Sequence, residues 1–158
     1  MKRGICVLAF GLMFVLGANA VQAASIPIDG TVSGLELCPQ FICGFAAFTG
    51  TFHGLIGNHP NAIGLVSTAL NHTDLPTLDK PAPAVIYRGL WQLQTLSGTI
   101  AGIVVPGGTI SIASPDGKLF RVVIPLVTFD GKTAITFDGF LDHHPLIPTF
   151  GGTFKSIP

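Results

Sequence analysis

The chain has 158 residues, eight basic and eight acidic side chains, and only 10% charged residues, against about 25% in ordinary soluble domains. The neutral balance and the lack of a basic stripe argue against a nucleic-acid partner, and no Lys/Arg-rich amphipathic segment offers itself to an anionic membrane surface. The length is that of one domain with enough residues to bury a core. A chain this poor in charge either buries an unusual share of itself or exposes apolar surface to a ligand, a partner subunit or lipid.

The first residues read MKRGICVLAFGLMFVLGANAVQAA. Lys2 and Arg3 precede an apolar run from Ile5 to Leu16, and small residues at Ala18, Ala20 and Ala23 follow it. This is the pattern of a secretory signal peptide, and the run is shorter than the ~20 residues of a membrane-spanning helix. Residues 1–23 are therefore expected to be a signal peptide and 24–158 a single exported domain, periplasmic or extracellular, with no transmembrane segment after cleavage. Loss of Lys2 and Arg3 leaves six basic and eight acidic residues, a formal net charge of −2.

The mature region keeps Cys38 and Cys43, in CPQFIC. Export makes a disulfide the expected state, and so short a loop contributes about 2 kcal/mol in the chain-entropy model. Half of a zinc site is the rival reading, but no second cysteine pair is present to complete it.

From Phe45 onward the periodicity is that of strands. FAAFTGTFHGLI, residues 45–56, places Phe48 and Phe52 on one face and Thr49, Thr51 and His53 on the other. Asn58-His59-Pro60-Asn61 reads as a turn, and HTDLPTLDKPAP, residues 72–83, as a long proline-rich loop of the kind that often carries function. AVIYRGLWQLQT, residues 84–95, alternates Val85, Tyr87, Trp91 and Leu93 against Arg88, Gln92 and Gln94. Pro106-Gly107-Gly108 separates GTIAGIVV from TISIAS, and Ser114-Pro115-Asp116-Gly117 is a turn. LFRVVIPLVTF, residues 119–129, is apolar on both faces, with a bulge or bend expected at Pro125, which has no N–H for the ladder. Asp130-Gly131 is a hairpin signal ahead of TAITFDGF, residues 133–140, where Ile135 and Phe137 share a face. No helical stripe of useful length follows the leader.

Gly-Thr-apolar recurs along the chain and extends three times to Gly-Thr-apolar-x-Gly, as GTVSG (30–34), GTFHG (50–54) and GTIAG (98–102). Glycines at strand starts and bends are what tightly curved sheets require. The expected fold is all-β: a single-domain antiparallel β-barrel of roughly eight or nine short strands, with a β-sandwich as the alternative. GLWQLQTLSGTIAGIVVPGG, residues 89–108, resembles the glycine-rich strand pairs of allene-oxide-cyclase-like barrels. That resemblance again implies a barrel. With one Tyr and one Trp in the whole chain, the aromatic girdles of an outer-membrane barrel are missing.

Chemistry-bearing residues are few. The stretch DHHPLIPTFGG, residues 142–152, puts His143 and His144 beside Asp142, and Asn71-His72-Thr73-Asp74 contains His-x-Asp. His72, Asp74 and His143 form on paper a two-His-one-carboxylate set for a divalent transition metal. No cofactor is expected beyond that. Acid–base catalysis by His72, Asp74, Asp142, His143 and His144 at one rim is the metal-free enzyme reading. The plainer reading makes Asp142-His143-His144-Pro145 a strand-ending turn. Which applies depends on whether the 72–83 loop and the 142–149 turn share one end of the barrel. The leading expectation is an exported binding or structural module for an apolar small molecule or another protein. Its pocket is expected to be lined by Tyr87, Trp91, Phe48, Phe52 and Phe137. A small barrel enzyme and a self-associating envelope protein are the alternatives, the last implying a homo-oligomer.

Overall fold

The computed structural model describes residues 25–157, so the expected signal peptide lies outside the described residues. In chain order the elements are β1 (Ile28–Cys38), a single helical turn α1 (Gln40–Cys43), β2 (Ala46–Ile56), β3 (His59–His72), β4 (Ala84–Thr95), β5 (Gly98–Val104), β6 (Gly108–Ile112), β7 (Leu119–Thr128), β8 (Ala134–Asp142) and β9 (Thr149–Ile157). Every strand pairs antiparallel with its neighbour, and β9 returns to pair with β1. β5 and β6 occupy one position between β4 and β7. β5 runs along Gly89–Thr95 and β6 along Ala84–Ile86, both in the same direction. The result is a closed up-and-down barrel of eight staves with one stave split in two. Closure leaves no second sheet, so the sandwich alternative is set aside.

Pro125 explains the split. Its register partner on one side is Thr136 of β8. On the other side the pairing jumps from Val104↔Leu126 to Thr109↔Val123. A residue's N–H and C=O point to the same side of a strand, and the Pro125 carbonyl accepts the Val105 N–H at 2.8 Å. The missing proline N–H therefore faces the β5/β6 stave, which breaks there and re-forms after Gly107 (φ 107°).

The glycine motifs pair with one another. GTVSG of β1 lies antiparallel to GTFHG of β2, with Gly30 opposite Gly54 and Gly34 opposite Gly50. At Gly34 a Cβ would collide with the Thr49 carbonyl and with the Phe150 ring. The strands approach because neither residue has a side chain, and phenylalanine rings fill the space that this leaves. Phe154 packs within 6.1 Å of Phe52, 6.3 Å of Trp91 and 5.8 Å of Phe137. The interior is mainly apolar, from Ile28, Val32 and Phe52 to Ile110, Leu126 and Ile135.

One face assignment is corrected. Tyr87 and Val85 do not share a face with Trp91 and Leu93: each is 44% exposed, while Trp91 and Leu93 are fully buried. A bulge between Asn71 and His72 in the β3–β4 register shifts the alternation of β4, so Ala84 and Ile86 point inward in its first half. Period-two counting carries no information about such an extra residue.

Candidate functional site

The strand directions put the loops 39–45, 73–83, 113–118 and 143–148 at one end of the barrel. The 72–83 loop and the 142–149 turn thus share an end. His72 and His143 nevertheless do not meet, because β3 and β8 stand four staves apart in the order β3-β2-β1-β9-β8. His72 is buried and tied to its own surroundings. The Gln40 amide brackets its backbone, donating to the His72 carbonyl at 2.6 Å and accepting the His72 N–H at 2.8 Å. Its Nδ1 lies 2.5 Å from the Thr73 carbonyl. Asp74 is exposed in the loop. Among the described residues no group of three or more His, Cys, Asp or Glu side chains is arranged to hold a metal ion.

The two histidines of DHHP separate as adjacent residues on an extended chain do. His144 turns outward, with Nδ1 2.6 Å from Asp142 Oδ1 and Nε2 2.6 Å from Asp116 Oδ2. Only the imidazolium donates from both nitrogens. Asp142 first and Asp116 second raise the His144 pKa above its usual 6.5. The Ser114 hydroxyl, then the Lys118 N–H and His144, hold the Asp116 carboxyl down at about 2. His144 likewise lowers Asp142, mainly through its backbone N–H. This exposed acid–imidazole–acid bridge fastens the start of the 143–148 loop to the turn between β6 and β7.

His143 turns inward. Its Nε2 lies 3.3 Å from Glu36 Oε2, and its ring meets Phe120 edge-to-face at 5.2 Å. The Glu36 side chain is only 4% exposed. The two facing atoms are close but out of hydrogen-bond alignment. Among the described residues they are the buried side-chain polar atoms without a hydrogen-bond partner. Buried polar groups are nearly always satisfied, so two orphans facing one another mark the place where this barrel departs from pure packing.

Sequence reasoning missed Glu36. In Leu35-Glu36-Leu37 the leucines look like the core side. Instead they are 42% and 50% exposed, and Glu36 is inside. The phase was available: Ile28, Gly30, Val32, Gly34 and Glu36 follow a period of two, and Ile28 and Val32 are core.

The barrel also has two apolar spaces. An interior cavity of about 40 Å³ is lined by Phe48, Phe137, Phe150, Phe154, Leu70 and Leu126 among others, enough for a few waters and no more. Outside it, an open groove of about 410 Å³ is formed by Leu119, Phe140, Asp142, Thr149, Phe150 and Gly151. Phe140 and Phe150 line both spaces and form the wall between them. The groove exists because Phe140 stands opposite Gly151, where a Cβ would meet nothing nearer than the Val32 carbonyl at 3.6 Å. Of the expected pocket residues, Phe48 and Phe137 line the cavity. Phe52 and Trp91 are packed in the core, and Tyr87 is outside.

Cys38 and Cys43 form a disulfide with Cα atoms 6.1 Å apart. It encloses α1, and α1 carries Gln40 to the end of β3. The chain matches no protein-family model, no curated protein and no solved structure, so its likeness to allene-oxide-cyclase-like barrels is carried by residues 89–108 alone.

Proposed function

We propose that the protein is an exported β-barrel binding module that takes a small, mainly apolar molecule at the β7–β8–β9 side of its mouth. The carrying observation is the shared wall of Phe140 and Phe150. It stands between a groove of about 410 Å³ and an apolar cavity of about 40 Å³. Small-molecule sites run to about 300–1,000 Å³, apolar with a few placed polar groups; the groove has that volume and a mainly apolar lining, and it lies open to solvent. The cavity alone falls short of that volume. A ligand seats in the groove on the outer face of β7, β8 and β9, against Phe140 and over Gly151. Export is supported by the leader-like residues 1–23 and by the Cys38–Cys43 disulfide.

The test is amide chemical-shift mapping of the protein titrated with 1-octanol. Saturable shifts at Leu119, Phe140 and 149–151 are expected. No saturable shift, or shifts centred on the exposed outer residues Leu90 and Ile103, would overturn the reading.

A second reading has one observation of its own. A carboxyl group 3.3 Å from an imidazole, as Glu36 is from His143, brings together the two group types of acid–base catalysis. Chemical change of a bound ligand, followed by mass spectrometry and abolished in His143→Phe, would move the protein to the enzyme class.

A further inference from the structure

Resting on the binding reading above, we propose that the groove selects an apolar molecule with an ammonium head held by Asp142, and that His144 competes with that head for the same carboxylate.

Asp142 and Thr149 are the polar side chains of the groove, and they are register partners on β8 and β9. Two residues further along each strand, on the same outer face, stand Phe140 and Gly151, again partners. Leu119 lies opposite Asp142 on β7. The groove therefore has one acidic end and an apolar remainder. A ligand lying over Gly151 against Phe140 brings one end to Asp142.

Asp142 has room for a second partner. Its side chain is 37% exposed. His144 donates its backbone N–H at 2.8 Å and Nδ1–H at 2.6 Å, both to Oδ1. A carboxylate accepts on both oxygens, so Oδ2 faces a ligand, and the Thr149 hydroxyl adds an acceptor across the groove.

The charges around Asp142 decide what it takes. Asp116 and Lys118 lie on the turn before β7, and His143 turns inward to Glu36. Arg121 of β7 does not compete, because its Nε and Nη2 both bind Asp138. Protonated His144 places one positive charge between Asp142 and Asp116. Once that proton leaves, Asp142 keeps its negative charge without a cation beside it. An ammonium then supplies the charge and three donors, whereas a hydroxyl supplies one donor and no charge. A carboxylate head is repelled.

The experiment titrates 1-octanol, octylammonium and octanoate into the wild type, Asp142→Asn and His144→Gln by calorimetry. It is run at about pH 5.5 and about pH 9, a range in which an alkylammonium stays charged. Circular dichroism checks folding. In the wild type the ratio of octylammonium to 1-octanol affinity is expected to rise about fivefold from the lower pH to the higher, the size of one exposed ion pair. The ratio should be high at both pH values in His144→Gln and low at both in Asp142→Asn, and octanoate should bind the wild type most weakly at the higher pH. A wild-type ratio that does not change with pH, or one that rises equally in Asp142→Asn, overturns the proposal and leaves the binding reading intact. Saturable binding of none of the three overturns the binding reading itself. Should Asp142→Asn fail to fold, the comparison of wild type with His144→Gln decides.

Discussion

Glu36 Oε2 and His143 Nε2 face each other at 3.3 Å inside the barrel mouth with no hydrogen bond between them. Removing one member of a buried polar pair strands the other. Replacing both with apolar side chains of similar volume is often neutral or stabilising. His143→Ala should therefore cost about 3 kcal/mol, since it leaves the Glu36 carboxyl buried without its neighbour and opens space against Phe120. The double variant Glu36→Met/His143→Phe should recover most of that loss. Urea unfolding of the two variants checks this. A double variant as unstable as His143→Ala would mean the pair matters through packing alone.

The His144 bridge predicts a pH window. His144 has a raised pKa, so its contribution is complete below its unfolded value of 6.5 and fades as pH rises through the higher folded value. Asp116 is held at about 2, so its contribution is complete above its unfolded value of 3.8 and fades as pH falls toward 2. The difference in melting temperature between wild type and His144→Gln should be largest between pH 4 and 6.5. It should shrink on either side, and added salt should reduce it because the groups are exposed. A pH-independent difference would contradict the bridge.

The paired glycines predict a severe substitution. Gly34→Ala drives a methyl group into the backbone of β2 and the ring of Phe150, and backbone yields less readily than a side chain. A loss at or above the ~3 kcal/mol upper end of ordinary overpacking is expected, read by denaturant unfolding. A loss under 1 kcal/mol would show that the staves can separate there.

Reduction of Cys38–Cys43 should leave the barrel folded. The bond closes a loop with a sequence separation of 5, worth about 2 kcal/mol. A drop in melting temperature of roughly 4–8 °C is expected, and far-ultraviolet circular dichroism should keep its strand signature. Global unfolding on reduction would contradict a local role.

Much of the barrel was legible because strand chemistry is local. Phe48 and Phe52 against Thr49 and Thr51, Asp130-Gly131 between β7 and β8, and the missing N–H of Pro125 each announced themselves within a few residues. The pairing of GTVSG with GTFHG was visible as a recurrence, but the match of Gly30 with Gly54 is a matter of register. Tyr87 was misplaced because a single extra residue in β4 flips every side chain beyond it. The candidate site was less legible for the same reason. His143 could be singled out, but its partner Glu36 stands on the other side of β9, and only the closed order of the staves brings them together. The His72–Asp74–His143 set failed on that order too, sharing an end of the barrel but not a side.

If the space over Gly151 is where a ligand sits, Gly151→Val should block it. A Cβ there makes only an ordinary contact, with the Val32 carbonyl at 3.6 Å, and valine favours strands. The variant should therefore melt within a few degrees of the wild type while its side chain occupies the groove beside Phe140. The measurement is the affinity for 1-octanol in both proteins, with melting temperatures taken in parallel. At least a tenfold loss of affinity with stability retained is expected. Unchanged affinity in a folded Gly151→Val would contradict it.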